Sequence, residues 1–387
     1  MSKSTDIDQV EGVTRRGFLK IAGVAGLFAA FAGTQAFAAD KAASAKAASS
    51  AKEKAAASAK AGSAASAKGG TRTVTGTDGK SYEVPATINK ICSTYGGADE
   101  YYFVLGATDK MCALNGANKD NKWMKKLAPK VFDLPQVFDN NGNYDTEALL
   151  KAAPDVIICR SADEAGKVKD ATGLATVAAM GTDPDTLKAL ITLDGDLLGK
   201  ADVAKKLCGY YDDNRKQATD RTSALTMDDR TRVYYASSKG YLNTEGQDTI
   251  VDSWIQDAGG TNMATYGGVE GTFKDIKVED LINWDPEVVV CCSEKIKQDF
   301  MADSNLSALT AVQNGAVYVS PTAAYVWCVR AADAVMMPLW AATKIQPDKF
   351  SDVDYDKITK DFYKEFLNYD LSQDEIDEIL VKKENGD

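Results

Sequence analysis

Apolar and polar positions change rhythm several times along this chain, and each change marks an element. A basic stretch, Thr14-Arg15-Arg16-Gly17-Phe18-Leu19-Lys20, runs into an unbroken Gly/Ala-rich apolar stretch from Ile21 to Ala32, followed by Ala36-Phe37-Ala38. From Lys41 to Gly70 large apolar side chains disappear and the residues are almost all Ala, Ser and Lys. Beyond them, short β-branched runs alternate with stretches whose apolar residues recur every three or four positions. The most informative feature is an internal echo. Leu149-Leu150-Lys151-Ala152-Ala153-Pro154-Asp155-Val156-Ile157-Ile158-Cys159 returns 132 residues later as Leu281-Ile282-Asn283-Trp284-Asp285-Pro286-Glu287-Val288-Val289-Val290-Cys291. Each copy reads as a helix end, a Pro-acid turn that stops it, and a continuous apolar run suited to a parallel strand covered on both faces. Two such units predict two similar α/β lobes.

Other strands fit the same plan. Lys90-Ile91-Cys92-Ser93 is followed by Gly96-Gly97, a helix to Leu105-Gly106, and a further strand Lys110 to Leu114; Arg232 to Ala236 leads through Gly246 to a helix ending at Ala258-Gly259-Gly260. Between the lobes, Gly199 to Leu225 carries Val203, Leu207, Tyr210 and Tyr211 at helical spacing, which predicts a single rod of nearly 40 Å at about 1.5 Å per residue. Asp354 to Ile376 reads as two amphipathic helices, the second opened by a Ser372/Glu375 capping box. The expected fold is thus α/β, two Rossmann-like lobes joined by one long helix. Its divisions are a leader over 1–38, a spacer over 39–70, a first lobe over 71–190, the connecting helix over 191–228 and a second lobe with C-terminal helices over 229–387. Ligands of such sheets bind at loops after the carboxyl ends of strands, in a cleft between the lobes.

Composition narrows the function. The basic stretch, short apolar run and small-x-small site make an export signal, and Arg15-Arg16 before Phe-Leu-Lys resembles the twin-arginine type, implying the twin-arginine translocase as a partner. The Ala/Ser/Lys segment has nothing to bury and reads as a solvated spacer. With no histidine there is no imidazole ligand, catalytic pair or proton shuttle. Residues 1–70 hold ten Lys/Arg and five acids, which leaves 35 basic and 51 acidic residues in 71–387, a net charge of −16 that disfavours nucleic acid. Seven cysteines show no C-x-x-C spacing; four fall on predicted strands and read as small buried hydrophobes. No glycine-rich phosphate loop stands at a strand-to-helix turn, so no intrinsic cofactor or metal is expected.

The sequence order of Glu147 and Pro154-Asp155, of Thr244-Glu245-Gly246-Gln247-Asp248 before a helix to Gly259-Gly260-Thr261-Asn262, of Asn314-Gly315-Ala316-Val317-Tyr318, and of Pro338-Leu339-Trp340-Ala341 leading to Phe362-Tyr363 resembles one family. It is that of the substrate-binding proteins of ABC importers for iron complexes and cobalamin. The resemblance covers residues 71–387 and implies capture of a metal chelate in the cleft and delivery to a membrane permease with its ATPase, without catalysis. The location is then extracytoplasmic, in a periplasm or at the cell surface. Strand-end residues Tyr95, Arg160, Tyr241, Tyr325, Trp327 and Arg330 are the candidate ligand contacts, aromatic walls and arginines suiting a flat or chelated anion. The family's pattern implies that Glu147 and Asp248, one acid on each lobe, dock onto arginines of the permease. An iron complex, ferric siderophore or haem, is the expected cargo, haem requiring a Tyr, Met or Cys ligand here. Cobalamin is the alternative within the class. An exported redox protein bearing a cofactor is the alternative outside it.

Overall fold

A computed structural model describes residues 70–386 except Asn140. The predicted signal with Arg15 and Arg16, and the spacer as far as Gly69, lie outside the described residues. The strands are β1 Thr71–Thr75, β2 Ser81–Pro85, β3 Ile91–Ser93, β4 Val156–Cys159, β5 Thr176–Ala178, β6 Thr231–Ala236, β7 Asn243–Thr244, β8 Gly260–Asn262, β9 Lys274–Asp275, β10 Val288–Cys291 and β11 Val317–Val319. β3, β4 and β5 form a parallel sheet in that order, and β11, β10, β6 and β8 form a second parallel sheet. β1 and β2 make an antiparallel hairpin beside the first sheet, while β7 and β9 pair antiparallel in the second lobe. The expected fourth strand of the first lobe is reduced to one bridge, Met111 beside Ile91.

The sequence echo is reproduced in the structure. Helix Thr146–Ala152 ends on Ala153 at φ 49°, and helix Val278–Trp284 ends on Asp285 at φ 38°, both left-handed caps immediately before proline. The following acid then holds the start of the neighbouring strand: Asp155 Oδ2 accepts from the amides of Asn89 and Lys90, and Glu287 Oε2 accepts from the amide of Arg232. After each buried strand a serine, Ser161 or Ser293, caps the next helix with its hydroxyl. The side-chain oxygen occupies an amide that the helix leaves unpaired.

Each sheet is covered on both faces, which explains its continuous apolar strands. One face of the first sheet packs Cys92, Ile157, Cys159, Leu149 and Val168, and one face of the second packs Tyr234, Val289, Cys291, Phe300 and Leu306. Their opposite faces merge into one core through the helices that link the lobes. The connecting helix is Ala201–Thr222, 22 residues or about 33 Å, shorter than the rod expected. Gly199 at φ 68° closes a separate preceding helix, Pro184–Leu198, so the chain turns back before the rod begins. The rod buries Ala204, Leu207, Tyr211, Asn214, Ala218 and Thr222, spaced by three or four residues in one continuous stripe.

The C-terminal helices, Tyr355–Phe366 and Gln373–Ile379, return to the first lobe. Tyr363 and Tyr369 pack edge-on to Trp123, and Glu375, which also closes the anticipated capping box with Ser372, pairs with Lys126 at 2.7 Å. A second brace therefore spans the lobes beside the rod. Among the described residues no helix is long and apolar enough to cross a membrane.

Candidate functional site

The carboxyl ends of the two sheets face each other across the segment from Pro321 to Asp333. Tyr95 follows β3 and caps the first turn of helix Gly96–Val104 from an extended conformation. Gly97 sits so close to the opposite lobe that an added Cβ would lie 3.0 Å from the Arg330 carbonyl and 3.5 Å from the Tyr325 ring. Asn121 donates across the same gap to the Ala324 carbonyl at 2.6 Å, and Glu100 accepts from the Ala332 amide at 2.7 Å. Glycine at 97 permits this approach, because any side chain would meet backbone.

Three of the expected contacts, Tyr95, Tyr325 and Arg330, are brought together here. Burial pushes the Tyr95 phenol well up, Asp194 and Tyr325 adding to the effect and Arg330 opposing it. Its hydroxyl donates to the Ala179 carbonyl at 3.2 Å. Arg330 is buried and forms a two-pronged pair with the fully buried Glu245, at 2.8 and 2.9 Å. Burial works against the Arg330 charge, but the Glu245 hydrogen bonds outweigh it and the guanidinium is held more firmly protonated than usual. Arg330 is therefore already neutralised by its partner.

The remaining expected contacts lie in other surroundings. Trp327 is completely buried, its Nε1 donating to Asp333 at 3.2 Å and its ring against Tyr355. The expectation of a stacking wall is corrected: the bond to Asp333 and the contact with Tyr355 hold this indole in the core beneath the cleft. Tyr241 packs on Phe300 and donates to Asp303, both in the helical layer of the second lobe. Arg160 is bound within its own lobe by Glu164 at 2.7 Å and by the Asn141 carbonyl at 2.9 Å, while Glu164 also accepts from Thr94. Glu147 and Asp248 are both exposed. Glu147 stands in the first turn of a helix that Asp145 caps, and Asp248, at φ 63°, precedes the cap residue Thr249.

Sequence reasoning missed four groups at this junction, Phe273, Lys239, Glu100 and Asp333. Phe273 is 40% exposed and sits at φ 52°, a left-handed backbone that costs an L-residue about 1–2 kcal/mol. Its ring lies 5.2 Å from the Arg330 guanidinium and 5.8 Å from the Lys239 ammonium. The available signal was one large apolar residue in the otherwise small and polar run Gly267 to Lys274. Glu100 and Asp333 meet at full burial, each with one oxygen lacking a hydrogen-bond partner. Burial and then Asp333 hold Glu100 well above the carboxylate range, while burial pushes Asp333 up to about 6 against hydrogen bonding with Glu100, then Tyr363 and Trp327. Two carboxyls shut in together resist ionising at once. Among the described residues no three Cys, Asp or Glu side chains are grouped to hold a metal ion, and all seven cysteines are free thiols.

Residues 91–324, from β3 to the interlobe loop, match the family model described as periplasmic binding protein. The chain belongs to that family. Among curated relatives, the molybdate-binding protein MolA of Haemophilus influenzae is 26% identical over 274 residues, 64% of this chain and 77% of MolA. A cobalamin-binding protein of Halobacterium salinarum is 23% identical over 184 residues, 46% of this chain and 48% of the relative. Among solved structures, a periplasmic solute-binding protein from Veillonella parvula superposes with a TM-score of 0.69 at 26% identity, covering 82% of this chain and 99% of that one. Molybdate-bound MolA gives 0.68 at 22% identity, covering 78% and 99%. This periplasmic binding protein therefore shares the class III architecture of those neighbours.

Proposed function

We propose that this protein is the extracytoplasmic solute-binding component of an ABC importer and that its cargo is an anionic metal species, carried either as an oxoanion or as an iron chelate. The observation that carries the reading is the meeting of Tyr95 and Gly97 from one lobe with Tyr325, Arg330 and Phe273 from the other, at the carboxyl ends of both sheets. Family membership supports a role in binding rather than catalysis, and the similar MolA is a binder of molybdate, an anion of this class. The aromatic rings favour the chelate form, a ferric siderophore or haem, through stacking. The lack of a grouped ligand set among the described residues favours a metal that arrives already complexed.

Delivery would use Glu147 and Asp248, exposed acids on separate lobes, against basic pockets of a permease served by an ATPase. Export through the twin-arginine translocase would place the protein outside the cytoplasm, and replacing Arg15 and Arg16 with Lys should hold the precursor inside. The deciding experiment is native mass spectrometry of the protein with molybdate, tungstate, a ferric siderophore, haem and cobalamin. A one-to-one adduct with either of the first two, or with the iron complexes, supports the reading and selects its form. Retention of cobalamin alone, or of a copurified flavin or cluster, overturns it.

A further inference from the structure

The cation that this site offers to a ligand is not the arginine at its centre. Arg330 is spent on Glu245, a buried pair at 2.8 and 2.9 Å whose net charge is zero. Lys239 is exposed and makes no ion pair among the described residues, yet its ammonium stands 5.8 Å from the Phe273 ring that also covers Arg330. Two cations thus lie within cation–π range of one ring, and only one of the two has a carboxylate partner.

Phe273 is held there by backbone on both sides. Upstream, Gly271 donates to the Gln247 carbonyl and accepts from the Gly246 amide, each at 3.0 Å; downstream, Lys274 and Asp275 pair with Thr244 and Asn243. A left-handed phenylalanine persists only where its neighbours over-determine it, and these two ladders supply that constraint. The ring is thus a fixed platform with much of its surface left open, unlike the fully buried Trp327. An open ring face beside an ammonium with no carboxylate partner is suited to a ligand that carries both a flat ring and negative charge.

We infer that Phe273 and Lys239 form the specificity element of the site, Phe273 stacking a flat ring of an anionic chelate and Lys239 meeting part of its charge. This rests on the proposed binding function and deepens it by separating the chelate from the bare oxoanion. The test is calorimetry with two probes, molybdate and a ferric tris-catecholate, on the unaltered protein and on Phe273→Ala, Phe273→Leu, Lys239→Gln and Lys239→Arg, with circular dichroism as folding control. Phe273→Ala should weaken the tris-catecholate at least tenfold and molybdate less than threefold, Phe273→Leu behaving like Ala because a stacking face, not bulk, is lost. Lys239→Gln should weaken the tris-catecholate at least fivefold and reduce its dependence on salt, with Lys239→Arg restoring both. Tris-catecholate affinity unchanged in Phe273→Ala and Phe273→Leu, or in Lys239→Gln, overturns the inference while leaving binding itself intact. If the unaltered protein binds molybdate alone, the chelate assignment of the pair is overturned but the importer reading survives. If it binds neither probe nor any other member of the wider panel, both fall.

Discussion

Replacing Arg330 separates a structural role from a ligand role. Arg330→Met keeps much of the side-chain volume but leaves the Glu245 carboxylate, at 0% exposure, without its two guanidinium bonds. Removing one member of a buried pair costs about 3–5 kcal/mol, because the remaining charge is stranded in a medium that solvates it poorly. At about 3 kcal/mol per molar urea, a loss of about 4 kcal/mol moves the unfolding midpoint down by roughly 1 M or more. Adding Glu245→Leu removes the stranded charge, so the double variant should regain most of the loss, the coupling between the sites being about 3 kcal/mol. The assay is urea unfolding followed by circular dichroism at pH 7. Unchanged stability in Arg330→Met together with abolished ligand binding would refute the reasoning and make Arg330 a direct ligand contact.

Asp194 is fully buried, both its oxygens lack hydrogen-bond partners, and burial pushes its carboxyl up to about 8 from 3.8. A raised acid is not penalised below the unfolded value and loses stability as pH climbs from about 4 to 8, so Asp194→Asn should gain on the parent by about 1.4 kcal/mol per pH unit across that window, near 4 kcal/mol at pH 7; a gap that is constant with pH in parallel unfolding curves rules this out. Trp327→Ala should lower stability by about 3–5 kcal/mol through cavity formation and loss of the Asp333 bond, and a variant as stable as the parent in thermal unfolding would return this indole to the cleft wall. Gly97→Leu should prop the lobes apart at Arg330 and Tyr325, seen as a larger radius of gyration by X-ray scattering and weaker ligand binding, and an unchanged radius would show that the contact yields locally. Reversing Glu147 and Asp248 to Lys should stop permease-supported uptake while leaving ligand affinity of the isolated protein unchanged; normal uptake would move the docking surface elsewhere.

Local signals sufficed for the two-lobed plan. Continuous apolar runs such as Val156–Cys159 and Val288–Cys291 can be buried only as strands covered on both faces, and Pro154 and Pro286 stop the helices before them wherever those helices pack. The Ser372/Glu375 box was legible because capping is settled within four residues. Side-chain destinations at the cleft were not settled locally. Trp327 and Tyr325 are two positions apart in one irregular loop, and only packing against Tyr355 and Asp333 sends the first into the core and leaves the second at the surface between the lobes. Arg330 reads as a free cation in sequence because its partner Glu245 is 85 residues away, and Phe273 reads as loop because its exposed, left-handed pose is imposed by pairing with Asn243 to Gln247. Secondary structure follows from neighbours along the chain. Which charge is spent and which ring is left uncovered depend on contacts between distant segments, and these exist only once the lobes have folded and met.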